Sequence, residues 1–202
     1  DGNTVSGIEL WAHDTSNSST WQVADIRSGT SSSSPGLRMY LLVGDTIYFS
    51  ADDGSTGHEL WAHDTSNHST WQVADIESGT SSSAPGMYMT LLVGDTIYFD
   101  ATSGSTGKEL WAHDTSNHST WQVADINSGV SSSNPGSNMY LLVGDTIYFS
   151  ASDGNTVSGI ELWAHDTSNH STWQVADINS GVENSAPGSK MYLLVGDTIY
   201  FS

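Results

Sequence analysis

The chain repeats one pattern of short apolar segments separated by polar turns. In the second copy, residues 87–93 (MYMTLLV), 96–101 (TIYFDA), 108–114 (KELWAHD) and 120–126 (TWQVADI) are rich in β-branched, aromatic and other apolar residues. Gly, Asp, Ser, Asn and Pro interrupt the pattern, and no stretch has helical periodicity. The pattern predicts four antiparallel strands in each copy, and therefore an all-β fold.

The segment Glu-Leu-Trp-Ala-His-Asp-Thr-Ser-Asn occurs unchanged in all four copies of the repeat. Its tryptophans are Trp11, Trp61, Trp111 and Trp163. A repeat of this length with four strands is typical of a propeller blade. The segment LLVGDTIYF is apolar on both faces, as expected of a blade that lies between two neighbours. A β-solenoid is the weaker alternative, because solenoid coils are shorter and need distinctive caps. We predict a single domain, residues 1–202, folded as a four-bladed β-propeller.

The chain termini fall within a blade. The predicted blades span approximately residues 37–76, 87–126 and 137–178, and residues 189–202 are completed by residues 1–26. Pairing the N-terminal strands with the C-terminal strands closes the ring and leaves no unpaired edge. Two chains that exchange these strands would instead form a larger ring, and open-ended exchange would form a fibre. The sequence favours a ring closed within one chain, with self-association by strand exchange as the alternative.

A resemblance to a known repeat family covers nearly the whole chain. The strings ELWAHDTSN, VADI, SGTSSSxPG and LLVGDTIYFSADDGSTGHELW resemble the ELWxxDGT repeats of bacterial and archaeal proteins. The chain departs from that pattern at the Asp-Gly-Thr turn, which here is Asp14-Thr15-Ser16-Asn17. The resemblance implies a propeller-like repeat of large secreted or surface proteins, and it implies no catalytic residues.

The charge of the chain excludes several classes of partner. It contains 23 acidic and 4 basic residues, which gives a formal charge of −19. Such a charge repels nucleic acid and anionic membranes, so we expect no nucleic-acid partner. No apolar run is longer than a strand, so we expect no membrane insertion. The chain has no cysteine, which excludes disulfides and thiolate metal sites. Together with the resemblance, this composition indicates an extracellular or cell-surface protein.

Two histidines flank the turn after the third strand in three copies: His63 and His68, His113 and His118, and His165 and His170. With the neighbouring aspartate, such a pair could form half of a metal site. However, Ser18 replaces the second histidine in the first copy, and a hairpin on the outer rim exposes these imidazoles to solvent. The segments Asp52-Asp53-Gly54 and Asp153-Gly154-Asn155 lack EF-hand spacing and are typical of turns. We predict no metal site and no cofactor.

The same turn carries an Asn-x-Ser sequence in every copy. The candidate glycosylation sites are Asn17, Asn67, Asn117 and Asn169. Four acceptors at one structural position are consistent with glycosylation of a secreted chain. A polar turn multiplied by duplication would produce the same triplets. The paired tryptophans of adjacent strands, such as Trp111 and Trp121, are more typical of packing between blades than of sugar platforms.

The copies differ most sharply just before the first strand. The divergent residues are Arg38, Tyr88, Asn138 and Lys190. We predict that they border the mouth of the central channel, where they could contact an anionic ligand or a partner, although drift at an exposed loop explains them equally well.

No arrangement of residues indicates an enzyme. The histidines near acids recur identically in each copy, whereas an active site in a ring is usually one asymmetric place. We therefore expect a non-catalytic extracellular module with a structural, adhesive or display role and a glycan or surface partner. The alternative is a multivalent carbohydrate-binding, lectin-like propeller with one site per blade.

Overall fold

The structure is a computed structural model that describes residues 7–154, 159–180 and 184–202. These residues form sixteen β-strands and contain no helix that is long and apolar enough to cross a membrane. Residues 1–6 of the predicted fourth blade, and Asn155 of the second Asp-Gly segment, lie outside the described residues.

The chain divides into two compact units, residues 1–86 and 87–202. In the first unit the strands are β1 (Leu10–Asp14), β2 (Ser19–Ala24), β3 (Tyr40–Val43), β4 (Thr46–Asp52), β5 (His58–Asp64) and β6 (Ser69–Ala74). In the second unit the strands are β7 (Thr90–Val93), β8 (Thr96–Ser103), β9 (Gly107–Asp114), β10 (Ser119–Ala124), β11 (Tyr140–Val143), β12 (Thr146–Ser152), β13 (Ile160–Asp166), β14 (Ser171–Ala176), β15 (Tyr192–Val195) and β16 (Thr198–Phe201).

Every sheet is antiparallel and follows the order of the strands along the chain. Three sheets have four strands, β3 to β6, β7 to β10 and β11 to β14, whereas β1–β2 and β15–β16 are two-stranded half-sheets. The predicted all-β fold with four-stranded antiparallel sheets is thus confirmed. In the described part of the chain, β1 pairs only with β2 and β16 only with β15, so no closed ring is found. The ring of four blades and the single domain over residues 1–202 stay predictions.

Two of the strand boundaries that differ from the predicted ones do so because side chains take up backbone donors. Strand β7 begins at Thr90 rather than residue 87, since the N–H groups of Tyr88 and Met89 donate to Asp100 Oδ1 at 2.8 and 2.9 Å. Strand β10 ends at Ala124 rather than residue 126. Here the register shifts at a bulge between Gln122 and Ala124. Ile126 then lies outside the ladder and donates its N–H to the buried carboxylate of Glu109.

The core of the second unit lies between two neighbouring four-stranded sheets. Its buried members are Met89, Tyr98, Leu110, Ala112, Ile126, Ile147, Phe149 and Ala151. Trp121 and Trp163 pack against this cluster from opposite sheets. A residue such as Trp121 therefore supplies apolar bulk between neighbouring sheets, the role that the sequence favours for the tryptophans.

Two glycines allow the serine-rich connector between β10 and β11 to approach the preceding sheet. Gly107 has φ +71°, and a Cβ atom there would lie 2.2 Å from the backbone oxygen of Ser131. Gly136 has φ +77°, and its Cβ would lie 2.7 Å from the Cβ of Met89. Only glycine fits at such distances, so these positions hold the connector against β9 and β7.

Candidate functional site

A buried glutamate ties the third strand of each sheet to the connector that follows the fourth strand. Glu109 Oε2 accepts hydrogen bonds from Ile126 N–H at 2.8 Å and Ser133 Oγ at 2.6 Å, and Oε1 accepts one from Ser133 N–H at 3.0 Å. The same arrangement is formed by Glu9 with Ile26 and Ser33, by Glu59 with Ile76 and Ser83, and by Glu161 with Ile178 and Ser185. We call this arrangement the glutamate clasp.

In the glutamate clasp, the carboxyl group has a structural role, because it accepts hydrogen bonds from the connector. Glu59 and Glu109 are fully buried, and burial raises the pKa of each to about 7, against the lowering effect of the serine and backbone hydrogen bonds. These glutamates are not among the residues predicted from the sequence. A serine follows the glutamate by 24 residues in all four copies, as Glu109 and Ser133 show, and this spacing was the signal available.

The turn after the third strand is held by its own side chains. In the second sheet, Asp114 Oδ1 accepts from Ser116 N–H and Oγ at 2.8 and 2.6 Å, and Asn117 Nδ2 donates to Asp114 Oδ2 at 2.7 Å. The hydrogen bonds from Ser116 lower the pKa of Asp114 below its ordinary value. Asp53 caps its turn similarly through Ser55 and Thr56, in line with the prediction of a turn there.

The four candidate glycosylation sites lie at the exposed tips of these turns. Asn17, Asn67, Asn117 and Asn169 are all exposed, and in each the side-chain amide donates to the aspartate three residues earlier. The Asn117 oxygen accepts a hydrogen bond from Ser119 N–H at 2.9 Å. A transferase would therefore have to break hydrogen bonds within the turn, and glycosylation stays a prediction.

The histidines that flank the turn differ in burial, which corrects the expectation that both are exposed. His165 is buried and its Nδ1 lies 2.9 Å from Thr172 Oγ1, while His170 is exposed. His165 faces the neighbouring sheet rather than the solvent, and its ring lies 5.4 Å from the Tyr98 ring of that sheet. No group of three or more potential metal ligands is found in residues 7–154, 159–180 and 184–202.

His165 links the stability of the fold to pH. Burial lowers its pKa to about 4, with a further lowering from nearby His170 and an opposing effect of Asp166. The ordinary value is 6.5, so between these values the unfolded chain binds a proton that the folded chain does not bind. The contribution of His165 is fully present above pH 6.5 and is lost as the pH falls towards 4, by about 2–3 kcal/mol.

Replacing His165 by Gln tests this dependence. The variant lacks the titrating group, so its stability deficit relative to wild type is expected to shrink as the pH falls from about 7.5 to about 4.5. Urea denaturation across this range measures the deficit. The matched control is His170→Gln on the exposed side of the same turn, which removes only the smaller lowering effect on the His165 pKa and should therefore keep most of the wild-type slope. A deficit for His165→Gln that is constant with pH contradicts the assignment.

One ion pair is specific to the second copy. Asp100 and Lys108 are both buried, and Lys108 Nζ lies 3.1 Å from Asp100 Oδ2 and 5.5 Å from the centre of the Tyr88 ring. Burial raises the pKa of Asp100, an effect that the Lys108 charge opposes. In the third sheet, Ser150 and Ile160 occupy these two positions. In the first unit, a second copy-specific pair joins Arg27 to Asp52.

The four divergent residues lie directly before the first strand of their sheets. Arg38 and Asn138 are half-buried, and both donate their backbone N–H to a serine of the second strand, at 3.0 and 2.9 Å. Tyr88 is exposed and contacts Lys108, while Lys190 is exposed. The structure thus gives Tyr88 a specific contact, and the predicted convergence of all four at a channel mouth stays a prediction.

The second unit contains a polar groove between two neighbouring sheets, which we call the inter-sheet groove. Its volume is about 550 Å³. One wall carries Tyr98, Trp121, Asp114 and Asn117, and the other carries Asp145 and His170. The hydroxyl and N–H of Thr167 both donate to the Asp145 backbone oxygen at 2.9 Å, which holds the second wall. The groove combines an aromatic side chain with carboxylate, amide and imidazole groups.

The corresponding groove in the first unit is apolar. Its volume is about 410 Å³, and it lies between the half-sheet β1–β2 and the sheet β3–β6. Its lining includes Leu10, Trp11, Ala12, Ile47 and His63. In the first unit, no described strand pairs with β1 in the way that β8 pairs with β9 in the second unit. We call this second cavity the open groove.

Comparisons with known proteins bear on the fold. No family model and no curated protein matches the chain, so the resemblance to ELWxxDGT repeats stays a prediction. A puromycin hydrolase mutant complexed with PGG is 12% identical with a TM-score of 0.53, over 91% of this chain and 26% of that chain. A second puromycin hydrolase structure is 12% identical with a TM-score of 0.52, over 79% and 22%. BamB from Moraxella catarrhalis, at 13% identity over 97% and 64%, has a TM-score of 0.37, too low to support an argument.

This chain spans about a quarter of the length of the two puromycin hydrolase structures. At 12% identity the likeness concerns the fold alone and carries no activity with it. Together with the three four-stranded antiparallel sheets, it identifies the chain as a β-propeller-like all-β fold.

Proposed function

We propose that this chain is a non-catalytic extracellular repeat module with a structural, adhesive or display role. The observation that carries the proposal is the use of its polar side chains. In each copy the buried glutamate and the turn aspartate, such as Glu109 and Asp114, are engaged by internal hydrogen bonds. Side chains that are engaged in this way at the same place in every repeat build the fold, and among the described residues these repeated groups do not form one asymmetric reaction centre.

The charge supports an extracellular partner other than a nucleic acid or a membrane. A formal charge of −19 keeps the module soluble and repels anionic polymers and anionic lipid surfaces. Neutral glycans and protein surfaces carry no such penalty. We therefore propose a glycan or a surface component as the partner.

We further propose that the half-sheets β1–β2 and β15–β16 are the two parts of one blade. Each complete sheet contains the counterparts of both, in the order that the predicted propeller requires. Four blades per chain then follow. The sequence favours closure within one chain, and exchange of these strands between two chains is the alternative.

A surface-retention assay tests the proposed role. Labelled protein is incubated with intact cells of its source and with their isolated extracellular material, and the retained fraction is measured after washing. We expect retention on one of these surfaces, and no turnover in a screen of hydrolase and lyase substrates. A protein that is neither retained nor self-associated contradicts the structural role, and turnover contradicts its non-catalytic character.

A carbohydrate-binding function is the second candidate, and the inter-sheet groove supports it. Sugars bind to proteins through aromatic faces and through polar groups that bond to hydroxyls. The groove presents Trp121 together with Asp114, Asn117 and Asp145. The Asp145 side chain is exposed at the edge of the groove. The groove volume is sufficient for a small saccharide, and repetition around a ring would provide avidity.

Replacing Asp145 by Ala is expected to weaken glycan binding at this groove about tenfold, the loss expected for one hydrogen bond to a charged group. The side chain is exposed, so the fold should be unaffected. A glycan array identifies the saccharide, and calorimetry gives its affinity and stoichiometry. Asp125→Ala removes an exposed acid outside the groove and should leave affinity unchanged. Equal affinities for the two variants, or no binding by the wild type, contradict this function.

A further inference from the structure

The half-sheet β15–β16 leaves apolar side chains uncovered. Strand β15 is exposed along its whole length, and the exposed fraction of Tyr200 in β16 is 54%. In the complete sheet β7–β10 the corresponding residue of β8 is Tyr98, and its exposed fraction is 2%. The two strands therefore have the sequence of a blade interior without the neighbours that bury it.

The half-sheet β1–β2 is uncovered in the same way on its other side. The exposed fraction of Trp11 is 51%, and Leu10 is only half-buried. The corresponding Leu60 and Leu110 of complete sheets are fully buried. In the complete sheets, β5 pairs with β4 and β9 pairs with β8 on this edge. Among the described strands, β1 has no such partner.

The two half-sheets are complementary parts of one sheet. Strands β15 and β16 correspond to β7 and β8, and strands β1 and β2 correspond to β9 and β10. The register between β8 and β9 pairs Thr96 with Asp114, Tyr98 with Ala112 and Phe99 with Trp111. Transferred to β16 and β1, this register pairs Thr198 with Asp14, Tyr200 with Ala12 and Phe201 with Trp11.

The open groove has the features of the site that such a hairpin fills. In the second unit, the β7–β8 hairpin lines the inter-sheet groove, and the Tyr98 ring packs 5.4 Å from the ring of His165. The counterpart of His165 in the first unit is His63, which lines the open groove. The counterpart of Tyr98 on a β15–β16 hairpin is Tyr200. A docked hairpin would thus place Tyr200 against His63 and cover Leu10.

We propose that the open groove binds the β15–β16 hairpin of a second copy of this chain. The exposed fractions of Trp11 and Tyr200 are 51% and 54%, and in the described part of the chain neither β1 nor β16 has a partner strand on its open edge. A second copy carries both missing parts. Reciprocal exchange, with β16 of each copy paired to β1 of the other, satisfies all four open edges and yields a closed two-chain assembly.

The charge of the chain sets the conditions for this exchange. Each copy carries a formal charge of −19, so repulsion opposes association at low ionic strength. Salt screens charges beyond a Debye length of about 8 Å at 0.15 M. The fraction of the two-chain species is therefore expected to rise with salt, and the assembly should be examined at about 0.5 M salt.

Cross-linking at the transferred register tests the proposal, because the chain contains no cysteine. Thr115 N–H donates to the Asp95 oxygen, so the adjacent Thr96–Asp114 pair is a non-hydrogen-bonded pair with closely spaced side chains. The equivalent variants are Asp14→Cys and Thr198→Cys, each made singly. When the two single variants are mixed and oxidised, we expect a reducible covalent dimer that contains one chain of each.

Two matched variants control for geometry and register. Thr96→Cys combined with Asp114→Cys should form a disulfide within one chain, since these residues pair in a complete sheet. His13→Cys mixed with Thr198→Cys is one residue out of register and should form little cross-link. Native mass measurement of the wild type over a concentration series gives the number of chains.

Each other outcome overturns the proposal in a distinguishable way. No dimer from the mixed single variants, together with an internal disulfide in a chain that carries both substitutions, shows that the ring closes within one chain. A ladder of covalent species in the chain with both substitutions shows open-ended exchange. The absence of any disulfide, while the Thr96 and Asp114 control forms one, shows that β16 and β1 do not pair.

Discussion

Replacing Lys108 by Ala is expected to lower the free energy of unfolding by about 3–5 kcal/mol. The substitution leaves the Asp100 carboxylate, which is fully buried, without its cation at 3.1 Å. Two backbone N–H groups still donate to Asp100, but they do not neutralise its charge. Burial already raises the pKa of Asp100, so in the variant the carboxyl group should bind a proton more readily. Urea denaturation measures the loss, which should be smaller at acidic pH.

The third sheet supplies the matched control for this prediction. The double variant Asp100→Ser, Lys108→Ile installs the residues found there as Ser150 and Ile160. Ser150 Oγ accepts from Asn138 and Met139 N–H at 2.9 and 3.3 Å, so a serine can perform the hydrogen bonding of Asp100. We expect the double variant to lie within about 1 kcal/mol of the wild type or to be more stable. A single variant that is as stable as the double variant contradicts a role for the ion pair.

Replacing Glu109 by Ala is expected to cost about 3 kcal/mol or more, because it removes the acceptor of the clasp. Ile126 N–H, Ser133 N–H and the Ser133 hydroxyl would lose their partner at a fully buried site, and each unsatisfied group costs about 1–3 kcal/mol. The connector between β10 and β11 is then held only by its remaining contacts. Thermal and urea unfolding measure the effect.

Two further variants distinguish the loss of the clasp hydrogen bonds from the loss of one negative charge. Ser133→Ala removes one donor and should cost about 1 kcal/mol, and Asp125→Ala, an exposed acid of the same connector, should cost less than about 0.5 kcal/mol. The pKa of Glu109 is raised to about 7 from 4.5, so its protonated form favours folding. That stability is fully present below pH 4.5 and is lost as the pH rises through 7. The cost of Glu109→Ala should therefore be larger near pH 5 than near pH 8, and equal costs for Glu109→Ala and Asp125→Ala would refute the clasp.

The strands could be predicted from the sequence because their signals are local. Segments such as residues 96–101 are apolar and β-branched, and glycine and proline mark their ends, so existence and order follow from the pattern. The ends near residues 87–89 and at residue 126 could not be predicted. There, backbone donors bind the side chains of Asp100 and Glu109, which lie well away in the sequence. Local propensity carries no information about such partners.

The polar groups were less predictable than the strands. Each histidine pair has the sequence of an exposed turn, yet His165 is buried against Tyr98 of the next sheet. Similarly, nothing near Lys108 in the sequence shows that its partner is Asp100, eight residues earlier on the neighbouring strand. Burial by a neighbouring sheet depends on how repeats stack, whereas a single repeat shows only which residues are apolar.

The sequence by itself determined the repeated unit, its four strands and their antiparallel order, because hydrophobic periodicity and turn residues act over a few positions. Only the tertiary structure decided which carboxyl groups are buried, which histidine of each pair has a pKa lowered by burial, and where apolar surface is left open. These properties arise where segments distant in the chain approach each other and exclude water. The uncovered Tyr200 shows this most clearly, since its sequence context is the same as that of Tyr98, which is buried.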